Sequence, residues 1–212
     1  MTLEVLFEDN HLLVVNKPAG LLTQPSGTNR DSLEDRAKAW IKDRYNKPGN
    51  VFLHAVHRLD LPVSGIVVFA RTSKALSRLN EAMRQRETKK IYCALVEGTF
   101  PAAEGILEHT IIHDDFHAQI HPQGKLARLK YRAMSTHVEI ELETGRYHQI
   151  RLQLSAVGCP IVGDCRYGST APFQEGAIAL HHHRMAFAHP VTGASLTLEA
   201  PIPWKEEIKA KS

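Results

Sequence analysis

Long apolar stretches are missing: the longest uninterrupted one, Ile91 to Val96, is six residues, against the roughly 20 a membrane-spanning helix needs. Cysteine is scarce. Cys93, Cys159 and Cys165 are the three present, and they form no C-x-x-C pair, so disulfides are not expected and a reducing compartment fits. Charge of one sign is not in excess either, since 26 Lys and Arg against 23 Asp and Glu give +3, which permits a local nucleic-acid patch without requiring one. Neither a G-x-x-x-x-G-K-[ST] loop nor a G-x-G-x-x-G fingerprint occurs, which argues against nucleoside triphosphate and dinucleotide chemistry. His181-His182-His183 lacks an H-E-x-x-H companion, and in a strand consecutive side chains alternate faces, so no metal site is expected there. The start, Met1-Thr2-Leu3-Glu4, has no basic flank or apolar core of a signal peptide, and cytoplasmic residence is the expectation. No repeat, Gly/Ser linker or long like-charge run divides residues 1–212, so a single domain is expected.

What is present is a readable series of short elements. Two apolar runs flank Asp9-Asn10 and predict a hairpin ending at Lys17-Pro18. Ser32 followed by Asp35 resembles a capping box opening a helix to about Tyr45. Gly65 to Ala70 predicts a buried strand, Thr72 caps a helix carrying Leu76, Leu79 and Met83 on one face, and a strand from Ile91 to Val96 follows. From Ala127 to Glu143 strict alternation predicts two antiparallel strands turning at Ser135-Thr136. Their polar faces then oppose Arg132 with Glu139, Lys130 with Glu141 and Arg128 with Glu143, a cross-strand ladder favoured over an RNA-binding stripe. Ile150, Leu154 and Val157 predict a helix ended by Gly158-Cys159-Pro160, and a closing hairpin spans Leu180 to Glu199. Strands outnumber helices and are mostly hairpin-linked. The class is α+β, a mostly antiparallel or mixed sheet with flanking helices.

Two stretches concentrate chemistry. His57-Arg58-Leu59-Asp60-Leu61-Pro62 puts a carboxylate among polar neighbours on a loop, where it is either a nucleophile or general base, or a turn former beside an arginine. Thr144 to Arg151 leads a glycine turn into a helix start rich in donors, including Arg146 and His148, and reads as a clamp on an anion or as an ordinary polar helix start. Arg84, Arg86, Lys89 and Lys90 form a basic cluster at a predicted helix end, a phosphate contact or a solvated terminus.

Five ordered blocks, LLVVNKPAGLL from Leu12, HRLDLPVSGIVVFART from His57, KKIY from Lys89, TGRYHQIR from Thr144 and GCPIVGDCRYG from Gly158, together resemble the RluA-type family of RNA pseudouridine synthases. The resemblance implies an α+β domain with a cleft across a central sheet, and isomerisation of uridine in RNA without cofactor or metal. It also implies roles: Asp60 as catalytic aspartate, Tyr92 as active-site tyrosine, Arg151 as the basic partner of Asp60, Arg58 as the residue entering the stack when the target nucleotide flips out, and Leu180 as an apolar pocket residue. Extrusion is required because the sugar carbon of a stacked base is out of reach. Val63 and Leu129 stand where the family usually has threonine. The start at Met1 leaves no room for an S4-like RNA-binding domain, so recognition of a ribosomal or transfer RNA stem-loop by a monomeric catalytic domain is expected. A catalytically silent RNA-binding module of the same fold, and a carboxylate-dependent glycosidase or nucleosidase, are the alternatives; intact Asp60, Tyr92 and Arg151 argue against the first, and the absence of a second motif-linked acid against the second.

Overall fold

The computed structural model describes residues 3–27, 30–114 and 117–204. In chain order the elements are β1 (Val5–Glu8), β2 (Leu12–Lys17), α1 (Leu33–Arg44), β3 (His54–Ala55), β4 (Ser64–Ala70), α2 (Ser73–Arg84), β5 (Lys89–Ala94), β6 (Glu104–His113), β7 (Ala118–Ile120), β8 (Lys125–Ala133), β9 (Val138–Leu142), α3 (Gln149–Ala156), a 3-10 turn Cys165–Tyr167, β10 (Leu180–Ala188) and β11 (Ser195–Glu199). Three helices and a mixed sheet make this α+β, as the sequence predicts. The chain divides into two units, Met1–Thr88 with Arg184–Ala200, and Lys89–His183 with Pro201–Ser212.

In the first unit Asp9 closes the β1–β2 turn by accepting the backbone N–H groups of His11 and Leu12 at 2.8 and 2.7 Å. Strand β2 then pairs antiparallel with β4 along its whole length, Leu12 opposite Ala70 and Lys17 opposite Gly65. Both helix starts follow the sequence signals: the Ser32 hydroxyl accepts from Asp35 N–H ahead of α1, and Thr72 accepts from Ala75 N–H ahead of α2. Leu12, Val14, Ile66 and Val68 meet Leu79 of α2 and Met185 and Phe187 of the closing hairpin in one core. Full burial of each such side chain is worth about 1.5 to 3 kcal/mol.

The second unit holds antiparallel strands in the order β5, β9, β8, β6, β7. Lys130 lies opposite Glu141 and Arg132 opposite Glu139, the register expected from alternation. Lys130 and Lys89 reach diagonal partners, whereas Arg128 and Arg132 meet residues directly across from them at the end of β9 or on β6. Lys130 bonds Glu143 at 2.8 Å, Arg128 reaches Glu143 at 3.0 Å and Glu108 at 3.6 Å, Arg132 turns to Glu104 at 3.6 Å, and Glu141 takes Lys89 at 2.9 Å. Val63 and Leu129, the two departures toward apolar residues, are 2% and 0% exposed, so the lost hydroxyls are replaced by packing.

Two expectations need correction. Strand β5 starts at Lys89 rather than Ile91, so Lys89 and Lys90 are strand residues pointing to opposite faces, not members of a helix-end cluster. Arg84 is the last residue of α2 and pairs with Glu81, while Arg86 sits in the connection with φ of 60°. Lys90 is half-buried, and burial lowers its pKa.

Candidate active site

Asp60 lies in the loop between β3 and β4, and its neighbours on both sides are pinned to the segment after β2. The Thr23 hydroxyl donates to Leu59 O at 2.9 Å and accepts from Leu59 N–H at 3.1 Å. Beyond the aspartate, Leu61 O accepts from Gly20 N–H at 2.8 Å and from Lys17 Nζ at 3.3 Å. Val63 N–H closes the turn onto Asp60 O at 3.1 Å. These bonds use backbone atoms of residues 59 to 61 and hold the loop on both sides of Asp60. Leu59 is buried, Asp60 half-buried and Arg58 exposed; this alternation puts the arginine in solvent beside the acid.

Lys17 is fully buried, and Nζ donates to three carbonyls, those of Leu21 at 2.7 Å, Pro18 at 3.1 Å and Leu61. Burial pulls its pKa down to about 7, and the nearby Asp60 charge acts in the opposite direction.

In the second unit Tyr92, on β5, is 6% exposed and stacks on His182 of β10 with centroids 4.4 Å apart and planes 12° apart. Leu180, at the start of β10, is buried, and His181 meets Trp204 edge-on at 6.0 Å. Adjacent histidines thus serve different neighbours, as strand alternation requires.

Arg151 occupies the first turn of α3. Its Nε and Nη2 bind the two carboxylate oxygens of Asp164 at 2.7 and 2.8 Å, and its guanidinium lies 5.0 Å from the centre of the Tyr167 ring. Arg151 and Asp164 are 5% and 2% exposed. This bidentate partner comes from the GCPIVGDCRYG block. His148 adopts φ of 51° just before α3 and is buried, its Nδ1 2.8 Å from the Tyr167 hydroxyl. Arg146, by contrast, is half-buried and donates Nε–H to Leu126 O at 2.9 Å.

Residues 11–156, which include Asp60, Tyr92 and Arg151, match the family model described as RNA pseudouridylate synthase. The chain belongs to that family. A pseudouridine synthase from Bacillus subtilis, YhcT, is 35% identical over 95% of this chain and 69% of its own length. The dual-specificity RNA pseudouridine synthase RluA of Haemophilus influenzae is 35% identical over 93% of this chain and 92% of its own. A ribosomal large subunit pseudouridine synthase D from Yersinia pestis is 33% identical over 95% and 67%. Among solved structures, human RNA pseudouridylate synthase domain containing 4 superposes with a TM-score of 0.81 at 22% identity over 98% of this chain and 92% of that one, a likeness of fold. The protein is therefore a pseudouridine synthase, an isomerase.

Three residues that hold candidate side chains carry little signal in the sequence: Lys17 and Thr23 in the first unit and Asp164 in the second. Lys17 and Thr23 look like a strand-end lysine and a loop threonine, and only the fold reveals that both grip the Asp60 loop. The lysine closing a strand that opens with four apolar residues, LLVVNK, is the available signal. Asp164 carried no signal beyond its place in a family block.

Proposed function

We propose that the protein converts specific uridines of ribosomal or transfer RNA to pseudouridine, with Asp60 as the catalytic residue. The observation that carries this is the double pinning of the loop that bears the half-buried Asp60, which fixes the backbone from which its carboxylate projects, the preset placement that covalent or proton-transfer chemistry needs. In the reaction the N1–C1′ bond breaks, a C5–C1′ bond forms, and the proton lost from C5 is balanced by one gained at N1. Tyr92, backed by His182, offers a flat ring on which the extruded uracil can stack. Arg58, exposed next to the acid, fills the space the base vacates, offsetting part of the few kcal/mol that flipping costs. Arg151 supplies positive charge to the same chemistry, oriented by Asp164. Phosphate contacts come from basic side chains that include Arg86 and Arg146.

The large-subunit relative supports ribosomal RNA as a substrate class and the dual-specificity relative supports more than one RNA target, and transfer RNA, the cytoplasm and a monomeric state are part of the same reading. Asp60→Asn tests it. Pseudouridine formation should fall to background while RNA affinity stays within a few-fold, because phosphate contacts supply most binding. Measurable turnover by a clean Asp60→Asn preparation removes Asp60 from the chemistry. Mapping pseudouridine in RNA from cells with and without the protein identifies the target, and no difference would favour the silent RNA-binding module.

A further inference from the structure

Four rings follow one another at the entry to α3. His148 and Tyr147 stack with centroids 3.8 Å apart and planes 19° apart. At the inner end His148 meets Tyr167 edge-on at 5.6 Å, and at the outer end Tyr147 meets His113 of β6 at 5.3 Å. Burial falls along the row: His148 and Tyr167 are buried, Tyr147 is half-buried and His113 is exposed. The inner end is locked by the His148–Tyr167 hydrogen bond and the Arg151 guanidinium. Tyr147 is also backed by Ile111, Ala118 and Ala127, so its ring is fixed before any ligand arrives and little rotamer entropy remains to be lost on binding.

Two cations lie beside the outer end, and so does the carboxylate of Asp114. Arg146 is tied to Leu126 O, next to exposed Lys125, and among the described residues neither cation is ion-paired, unlike Arg128 and Lys130 in the ladder. The nearby Asp114 turns a carboxylate oxygen onto His117 N–H at 2.7 Å. A preset aromatic surface flanked by cations suits a π-face joined to an anion, the chemistry of a nucleotide. We propose that Tyr147 and His113 form a stacking platform for an unpaired nucleobase of the substrate RNA outside the target uridine, with the adjoining phosphate held by Arg146 and Lys125. This rests on the reading of the protein as an enzyme acting on RNA, and it adds a contact that sets affinity rather than the chemical step.

The test uses the full chain, a single-stranded RNA of roughly 12 nucleotides and mixed sequence containing 5-iodouridine, and unfractionated transfer RNA. Tyr147→Leu keeps an apolar side chain against Ile111 but removes the ring; it should weaken RNA binding about 5- to 100-fold and abolish photocrosslinking at position 147. Tyr147→Phe and Tyr147→Trp should bind as the parent does, and His113→Ala should lose about 2- to 5-fold. In pseudouridine assays the Tyr147→Leu effect should fall on KM with kcat unchanged. Binding by folded Tyr147→Leu within about two-fold of the parent, or an equal loss in Tyr147→Phe, overturns the platform. Should Tyr147→Leu fail to fold, unchanged affinity of His113→Ala, altered only at an exposed ring, overturns it. The two readings separate cleanly: pseudouridine formed with an unmoved KM removes the platform alone, whereas ring-dependent binding without isomerisation removes the enzymatic reading alone.

Discussion

The two units hold their functional side chains by opposite means. In the first, Thr23, Gly20 and Lys17 grip the backbone on either side of Asp60. In the second, Asp164 grips the Arg151 side chain directly. Holding the backbone fixes where a side chain starts, while holding the tip fixes its direction and charge at the cost of burying two ions. The first arrangement suits a residue that reacts, the second a residue that orients and polarises.

The largest effect expected of breaking this contrast is at Asp164. Asp164→Ala removes the bidentate partner of a guanidinium that is almost wholly buried and should cost about 3 to 5 kcal/mol, read as a drop in the urea midpoint. The double variant Arg151→Met with Asp164→Leu should regain most of that stability, because an apolar pair replaces a buried ionic one, yet remain without isomerase activity. Full stability of Asp164→Ala would show that the fork contributes no more than a surface pair.

Next comes Lys17, which should respond to pH. Its native pKa near 7 lies below the ordinary value of 10.5, so between these limits the unfolded chain binds a proton that the native one does not. Stability from this group is flat below pH 7 and rises toward pH 10.5, with a slope of up to about one proton. Lys17→Met should flatten the pH dependence of the unfolding midpoint between those limits; an unchanged slope would place the titration elsewhere.

Thr23→Val should do less, about 1 to 3 kcal/mol from leaving buried Leu59 groups unsatisfied, with kcat falling more than KM changes because the Asp60 loop loosens. Smallest is Arg132→Gln in the exposed ladder, within about 1 kcal/mol in thermal melts and with no change in turnover.

Sequence pattern reveals what depends on neighbours along the chain. The Ser32 and Thr72 caps, the Ser135-Thr136 turn and the ladder register all rest on contacts within a few residues or on strict alternation, and each is observed. Strand β6 was not anticipated because Ile106 and Leu107, and then Ile111 and Ile112, put apolar residues on both faces and erase the period of two. Ile106 is half exposed at 51% while Leu107 is buried, a difference no pattern discloses. Block order nominates Asp60, Tyr92 and Arg151 as candidates. The bonds of Lys17 to Leu61 and of Arg151 to Asp164 join residues 44 and 13 positions apart, and depend on how loops fold back.

The β8–β9 ladder has a consequence for electrolyte response. A cation already neutralised by a carboxylate displaces few counterions from a polyanion, so Arg128, Lys130, Arg132 and Lys89 add little to the number of ions released when RNA docks. With a salt slope of about −0.7 per phosphate neutralised on a single strand, the steepness of the affinity-versus-salt plot reports only cations outside such pairs. The 26 Lys and Arg residues therefore overstate the electrolyte sensitivity of this protein, and its grip on RNA should persist at ionic strengths that would strip an enzyme relying on an unpartnered basic strand.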